Sequence, residues 1–384
     1  MKVRKTTDEI NERIKNGEAV VLTAEEVKKM AEESGTEQVA KKVDVVTTAT
    51  FGPMCSSGAF INFANVEPPI RMSKVWLNDV PVFAGLAAAD AYIGASEISE
   101  IDPNYGGAHI IEDLIRGKKI KLRAIGTGTD CYPRKNLETE IDKDMINECY
   151  LFNPRNCYQN YSAATNSSKK TLYTYMGILL PRFGNISYST TGEMSPLVND
   201  PELRTIGIGT SIFLAGAQGY VIWNGTQFNT ETEKENNIPV GPGATLAVIG
   251  NLKKMNPEFI KPAIIERYGI SLFVGIGVPI PILDEDMAKF VSIRDKDIKT
   301  VLCDYGRSGH PVISKLTYKE LKSGEANIKG KKIRTAPTSS IYVARKIAEE
   351  LKTWLKNGKF LLSSPVGHLP KKVVFKKLTI PKET

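Results

Sequence analysis

The sequence predicts an α/β protein, with α+β as the alternative: one large unit, a mixed sheet at its centre and helices at both ends of the chain. Three observations predict it. Helix-start signatures open the chain, apolar runs broken by Gly and Pro fill its middle, and an amphipathic segment lies near its end. The 384 residues are 41% hydrophobic and 24% charged, the balance of a globular chain long enough to bury a large core without covalent staples. Residues 1–370 are expected to form that unit, and 371–384 a basic tail carrying Lys371, Lys372, Lys376 and Lys377.

The first 40 residues read as two helices, because Thr6 and Glu9, then Thr23 and Glu26, form capping boxes ahead of helical runs. A β-branched run over 43–50 reads as a strand and ends at Phe51-Gly52-Pro53-Met54-Cys55-Ser56-Ser57-Gly58. A second strand over 119–125 runs into Gly126-Thr127-Gly128-Thr129-Asp130-Cys131-Tyr132-Pro133-Arg134. The runs 171–180, 184–189, 220–223, 245–250 and 271–283 read as strands of the mixed sheet, and the polar stretch 229–238 as an exposed loop. Over 339–357, Ile341, Ala344, Ile347, Ala348, Leu351 and Leu355 recur at helical spacing. The tail from residue 370 reads as an edge strand or as unstructured.

The net charge of +8 comes from scattered Lys and Arg, which reads as a solvated basic surface. An acidic protein partner fits this better than nucleic acid, which would need a concentrated basic stripe with aromatics in it. No apolar leader opens the chain, so a cytoplasmic protein is expected. Residues 206–223 carry no charge over nearly a membrane span, but Gly207, Gly209, Gly216, Gly219 and Gln218 favour a buried strand–turn–helix. The glycine-rich stretches match no phosphate-binding fingerprint, which disfavours a nucleotide cofactor.

The five cysteines are odd in number and include no C-x2-C pair, so reduced thiols are expected and no metal site is assigned. A cluster assembled from distant loops stays open. Cys149, Cys157 and Cys303 read as buried apolar residues. Cys55 and Cys131 stand apart, each just past a strand in a loop of Gly, Ser and Thr. Ligand sites of α/β folds gather at such strand ends. Backbone amides at Ser56 and Ser57 would stabilise a Cys55 thiolate if a helix began there. Arg134 and Asp130 flank Cys131 and suit a substrate carboxylate and ammonium. His109, at an apparent helix start beside Gly106-Gly107, suits a proton shuttle, with a capping role as the alternative.

These loops also resemble a known family. The run Thr47-Thr48-Ala49-Thr50-Phe51-Gly52-Pro53-Met54-Cys55-Ser56-Ser57-Gly58-Ala59 is similar to a motif of the archaeal homocysteine-biosynthesis family, the L-aspartate semialdehyde sulfurtransferases. So are Tyr105-Gly106-Gly107-Ala108-His109, the Cys131 loop, Gly216-Ala217-Gln218-Gly219-Tyr220, and Arg334-Thr335-Ala336-Pro337 with Ser339-Ser340. The resemblance implies a catalytic domain over nearly the whole chain that makes homocysteine from aspartate semialdehyde. Sulfide or a persulfide donor would supply the sulfur, and a ferredoxin-like partner with a [4Fe-4S] module the electrons. It implies Cys55 and Cys131 as working thiols acting through a persulfide. Turning an aldehyde into a thiol needs sulfide and two electrons, so one thiol is expected to carry the sulfur and the other to close a disulfide that the external donor reopens, with the two loops brought together at one cleft. Many relatives also carry a C-terminal pair of regulatory CBS domains, and this chain ends too soon to hold one. The stretch 305–311 is only a loose version of a more arginine-rich family segment. A homo-oligomer is compatible with all of this. Two other readings stay open: a thiol-dependent oxidoreductase or acyl-transfer enzyme acting on an aldehyde or thioester, and a non-catalytic sulfur carrier.

Overall fold

The computed structural model describes residues 3–379 apart from Lys329 and Lys377. Part of the basic tail, Lys377 and residues 380–384, therefore lies outside the described residues.

Both predicted capping boxes form. Thr6 starts the helix Thr7–Lys15 and Thr23 the helix Ala24–Ser34, each with the threonine and the glutamate satisfying one another's backbone amides. A third short helix, Thr36–Lys42, leads into the strand Val45–Pro53. That strand is buried along nearly its whole length, which accounts for its uninterrupted run of Val, Thr, Ala and Phe.

Val45–Pro53 belongs to a sheet of ten strands. In order these are Val21–Thr23, Val45–Pro53, Gly269–Pro281, Ser211–Leu214, Ala217–Asn224, Leu246–Asn251, Glu148–Asn156, Gly58–Asn62 and Asp90–Gly94, with Ile260–Ile265 branching from the long Gly269–Pro281 strand. Only the first pair is parallel. The helix Ile341–Lys356 lies on Val45–Pro53 and Gly269–Pro281 and sends Ala344, Ile347, Ala348, Leu351 and Leu355 into the main apolar core. The mixed sheet and the terminal helices are as the sequence predicts.

Two of the four smaller sheets have more than two strands. One has six strands, from Val312–Thr317 to Glu325–Ile328, and its own apolar cluster around Tyr188, Leu302 and Tyr318. The other has four: Val80–Val82, Met72–Leu77, Ile120–Gly126 and Asn136–Ile141. Cys131 lies in the connection between its last two strands.

Three local expectations need correction. The uncharged stretch 206–223 is a hairpin, not a strand–turn–helix: Ser211–Leu214 reverses at Ala215 and Gly216, both with left-handed φ, into Ala217–Asn224. The second strand alternates buried and exposed residues, the two-residue period of a half-covered sheet. No described helix is long and apolar enough to cross a membrane. The polar stretch 229–238 holds one strand of a small hairpin, Lys234–Glu235 with Ile238–Pro239, and buries Ile238 in the second core. Finally, no helix begins after Cys55; a turn leads at once into Gly58–Asn62.

Candidate active site

Cys55 lies where Val45–Pro53 ends, in the turn before Gly58–Asn62. Two glycines bracket this turn and both are sterically required. A Cβ on Gly52 would come within 2.6 Å of Ser339 Oγ, and one on Gly58 would meet Ile93 O at 2.6 Å and collide with the Tyr92 ring. Behind the turn, Asn153 Nδ2 donates to the buried Ser57 Oγ at 2.9 Å, and Ala95 N donates to Ser57 O at 2.8 Å. The turn is thus fixed from both sides, and the thiol of Cys55 is left partly exposed.

That thiol opens onto a cavity of about 220 Å³. Cys55 and Ser56 form part of its wall; Arg155, Tyr158, Tyr161 and Tyr175 form another; Thr338 and Ser339, just ahead of the helix Ile341–Lys356, form a third. The Cys55 thiol donates to Ser271 Oγ at 3.2 Å. Burial raises the Tyr268 phenol above its ordinary pKa, and the hydrogen-bonded Cys55 sulfur beside it adds to the shift. Burial also pushes Tyr158 up to about 12, so these phenols stay protonated donors at neutral pH. From the inner wall a phenol chain leads outward: Tyr161 donates to Tyr175 at 3.2 Å, and Tyr175 meets Tyr305 at 2.5 Å.

Arg155 supplies the cavity's charge. Its Nε is buried without a hydrogen-bond partner, and among the described residues no carboxylate pairs with the guanidinium. A buried, unspent donor on a cationic fork is costly unless an anion completes it, and a carboxylate matches its geometry. Sequence reading passed over Arg155, because an arginine late in a strand carries no local signal. Ser271, Tyr158 and Tyr268 were missed for the same reason: three separate segments bring them together. Ser339 had one signal, its place in a stretch that resembles the family.

The residues singled out in the sequence divide. Cys55 and Ser56 line the cavity and Ser57 holds the turn, whereas Cys131, Asp130 and Arg134 do not line it. Cys131 and Asp130 are exposed at the tip of their loop. Arg134 points to the base of the loop, where Nε donates to Pro68 O at 2.9 Å and Nη2 to Glu67 O at 2.7 Å. His109 also lies off the cavity. Its Nδ1 accepts from Gly106 N at 3.2 Å, its ring stacks on Tyr105, and burial lowers its pKa despite Asp113 and Glu112. That is the geometry of a cap at the start of Gly107–Ile115. The two cysteine loops therefore do not share one cleft within the chain, contrary to expectation. Burial raises the remaining thiols, Cys149 to about 12 and Cys157 and Cys303 also upward, as fits inert core residues. Among the described residues no three of His, Cys, Asp and Glu converge as metal ligands.

The match to known proteins covers nearly the whole chain. Proteins named L-aspartate semialdehyde sulfurtransferase are 52% identical in Methanocaldococcus jannaschii and 51% identical in Methanosarcina acetivorans. Each alignment covers 96% of this chain, and 74% and 72% of those relatives. An uncharacterised protein of Methanothermobacter thermautotrophicus is 30% identical over 83% of this chain and 72% of its own length. No solved structure matches. The model of the family described as "Homocysteine biosynthesis enzyme, sulfur-incorporation" matches residues 19–362, and with relatives of this closeness the chain belongs to that family of sulfur-transferring enzymes.

Proposed function

We propose that this chain converts L-aspartate semialdehyde to L-homocysteine by reductive sulfur insertion in the Cys55 cavity. The observation that carries this reading is the meeting, in one small, phenol-lined cavity, of a partly exposed thiol and a guanidinium that no carboxylate among the described residues pairs with. Arg155 would take the substrate carboxylate and so aim the aldehyde at the sulfur on Cys55. Tyr268, next to that sulfur on the cavity wall, would donate to the aldehyde oxygen as it gains charge.

The chemistry balances as follows. Sulfide opens a Cys55–Cys131 disulfide, giving a persulfide on Cys55 and a free Cys131 thiol. The terminal sulfur adds to the aldehyde carbon, and the carbonyl oxygen takes a proton. Cys131 thiolate then attacks Cys55 Sγ; the disulfide re-forms and the sulfur leaves on the substrate carbon. Loss of water and addition of two electrons and two protons yield the thiol. Net, aldehyde, hydrogen sulfide, two electrons and two protons give thiol and water. The external electrons end on carbon and not on the disulfide, which revises the expectation drawn from the sequence. Their donor is proposed to be a separate iron–sulfur protein, and the basic surface of this chain suits an acidic one.

The test is homocysteine formation from aspartate semialdehyde, sulfide and a strong low-potential reductant, with Cys55→Ala as the control. Turnover by the native chain and none by the variant is the expected result. No homocysteine, even with an iron–sulfur donor added, sinks the proposal in favour of a sulfur carrier.

A further inference from the structure

The reading just proposed needs Cys131 to touch the sulfur on Cys55, and the fold separates them. The strand Gly58–Asn62 begins beside the Cys55 turn and pairs Gly58 with Gly94 and Asn62 with Asp90. Just past its far end, Phe63 N donates to Ala89 O and Met72 N to Ala88 O. Met72 is the register partner of Gly126, the last residue before the Cys131 loop. The loop therefore leaves the molecule at the Asn62 end, whereas Cys55 lies at the Gly58 end. Four strand steps alone span about 13 Å, and a disulfide needs Cα atoms within about 7 Å.

The loop is also anchored where it is. Gly126 N donates to Lys135 O at 2.8 Å, Arg134 N to Pro69 O at 3.2 Å, and Thr129 and Tyr132 exchange backbone bonds at 2.9 and 3.1 Å. Together with the Arg134 side chain these hold a closed base and a projecting tip. Cys131 cannot fold back along its own strand without giving them up.

We propose that the site is completed in trans: Cys131 of a second copy of this chain enters the Cys55 cavity. This rests on the two-thiol reading above. The projecting loop offers its thiol outward, next to the exposed Asp130, which forms no ion pair among the described residues. The cavity's Arg155 gives the approaching loop an attractive field of opposite charge, while its unpartnered Nε is left for the substrate carboxylate. Apolar surface borders both ends of the contact. Leu86 and Ile125 are exposed near the loop, and Tyr268, on the cavity wall, is exposed as well. A two-fold pair would make the same insertion twice. In the resolving step the second copy's Cys131 thiolate attacks Cys55 Sγ, the bond from Sγ to the transferred sulfur breaks, and an intermolecular disulfide forms. No electrons enter or leave.

The test mixes two inactive chains. Cys55→Ser and Cys131→Ser are produced separately and together, with different tags. In trans, a mixed pair keeps one complete site, so co-produced chains recover roughly a quarter of native turnover while each variant alone has none. No recovery, with the native chain active and both variants folded, overturns the proposal and leaves the two-thiol reading standing. Turnover by Cys131→Ser alone overturns both. The second readout is mild oxidation of the native chain, followed by mapping of disulfide-linked peptides. A linkage of Cys55 to Cys131 in a covalent dimer that either variant abolishes supports the proposal; the same linkage inside a monomer overturns it.

Discussion

The two cysteine loops are built on opposite plans. The Cys55 turn is walled in: glycines with no room for a Cβ, a buried Asn153–Ser57 bond and a cavity drawn from segments as distant as Tyr268 and Ser339. The Cys131 loop is held only at its base and shows its tip to solvent. In the proposed reaction one loop prepares an environment and the other delivers a group. A thiol that must hold a reactive sulfur gains from fixed donors around it, while one that must travel to it gains from exposure and reach.

That contrast can be broken most severely at the sulfurs. Cys55→Ser and Cys131→Ser should each cut multiple turnover by about a thousandfold or more, but they should differ in loading. Only the Cys131 variant should retain one added sulfur atom after treatment with a persulfide donor, as read by intact mass. If both retain it equally, the division of labour is wrong. Next, Arg155→Met should raise the KM for the aldehyde substrate by roughly 10- to 100-fold, the value of a lost charge-assisted bond of about 1.5–3 kcal/mol. Arg134→Met should stay within about threefold, since that side chain is occupied at the loop base. An equal effect of the two would return the carboxylate site to the Cys131 loop.

Backbone substitutions sharpen the same comparison. Gly58→Ala should lower stability by roughly 1–3 kcal/mol through the clash at Tyr92. Gly128→Ala meets only the flexible Lys135 side chain and should cost about 1 kcal/mol, from its left-handed φ of 74°. Denaturant titration separates them. Alkylation at neutral pH should modify Cys131 first and Cys55 more slowly, leaving Cys149, Cys157 and Cys303 untouched while the chain is folded. Peptide mapping reads the order. The smallest effect concerns His109. Its folded pKa lies below the unfolded value, so the unfolded chain binds the proton first and stability falls as pH drops from about 6.5 through the folded pKa. His109→Gln should flatten that part of a melting-temperature profile while leaving turnover in place. Loss of turnover would restore His109 as a proton shuttle.

Much of this was legible in the sequence, for local reasons. The capping boxes at Thr6 and Thr23, the buried strand before Cys55 and the helix ending in the Leu351–Leu355 stripe are each written in a few consecutive residues. So was Cys55, because a thiol between two glycines after a strand is conspicuous. What was not legible depends on pairing at a distance. Arg155 and Tyr268 join the cavity, and Ser271 reaches the Cys55 thiol, only because Glu148–Asn156 and Gly269–Pro281 take their places in the sheet. The hairpin over 206–223 was misread because an uncharged run has no period of its own, and the reversal rests on Ala215 adopting a left-handed φ. The shared cleft was expected because two thiols that exchange a disulfide must meet, yet loop sequence says nothing about which end of a sheet a loop leaves.

The pairing of Val45–Pro53 with Gly269–Pro281 has a consequence for how the protein comes into being. Thr50 faces Ile276 and Pro53 faces Phe273, partners more than two hundred residues apart in the chain. Contacts of such sequence separation form slowly, since a long loop must close before they reward the chain. During synthesis the Cys55 thiol thus emerges long before Ser271, Tyr268 or Ser339 exists to surround it. A nascent chain, or one cut short before the strand Gly269–Pro281, would carry the cysteine without Ser271, Thr338 or Ser339 beside it. Reactivity is in this sense the last property the fold acquires, withheld until both halves of the polypeptide have met.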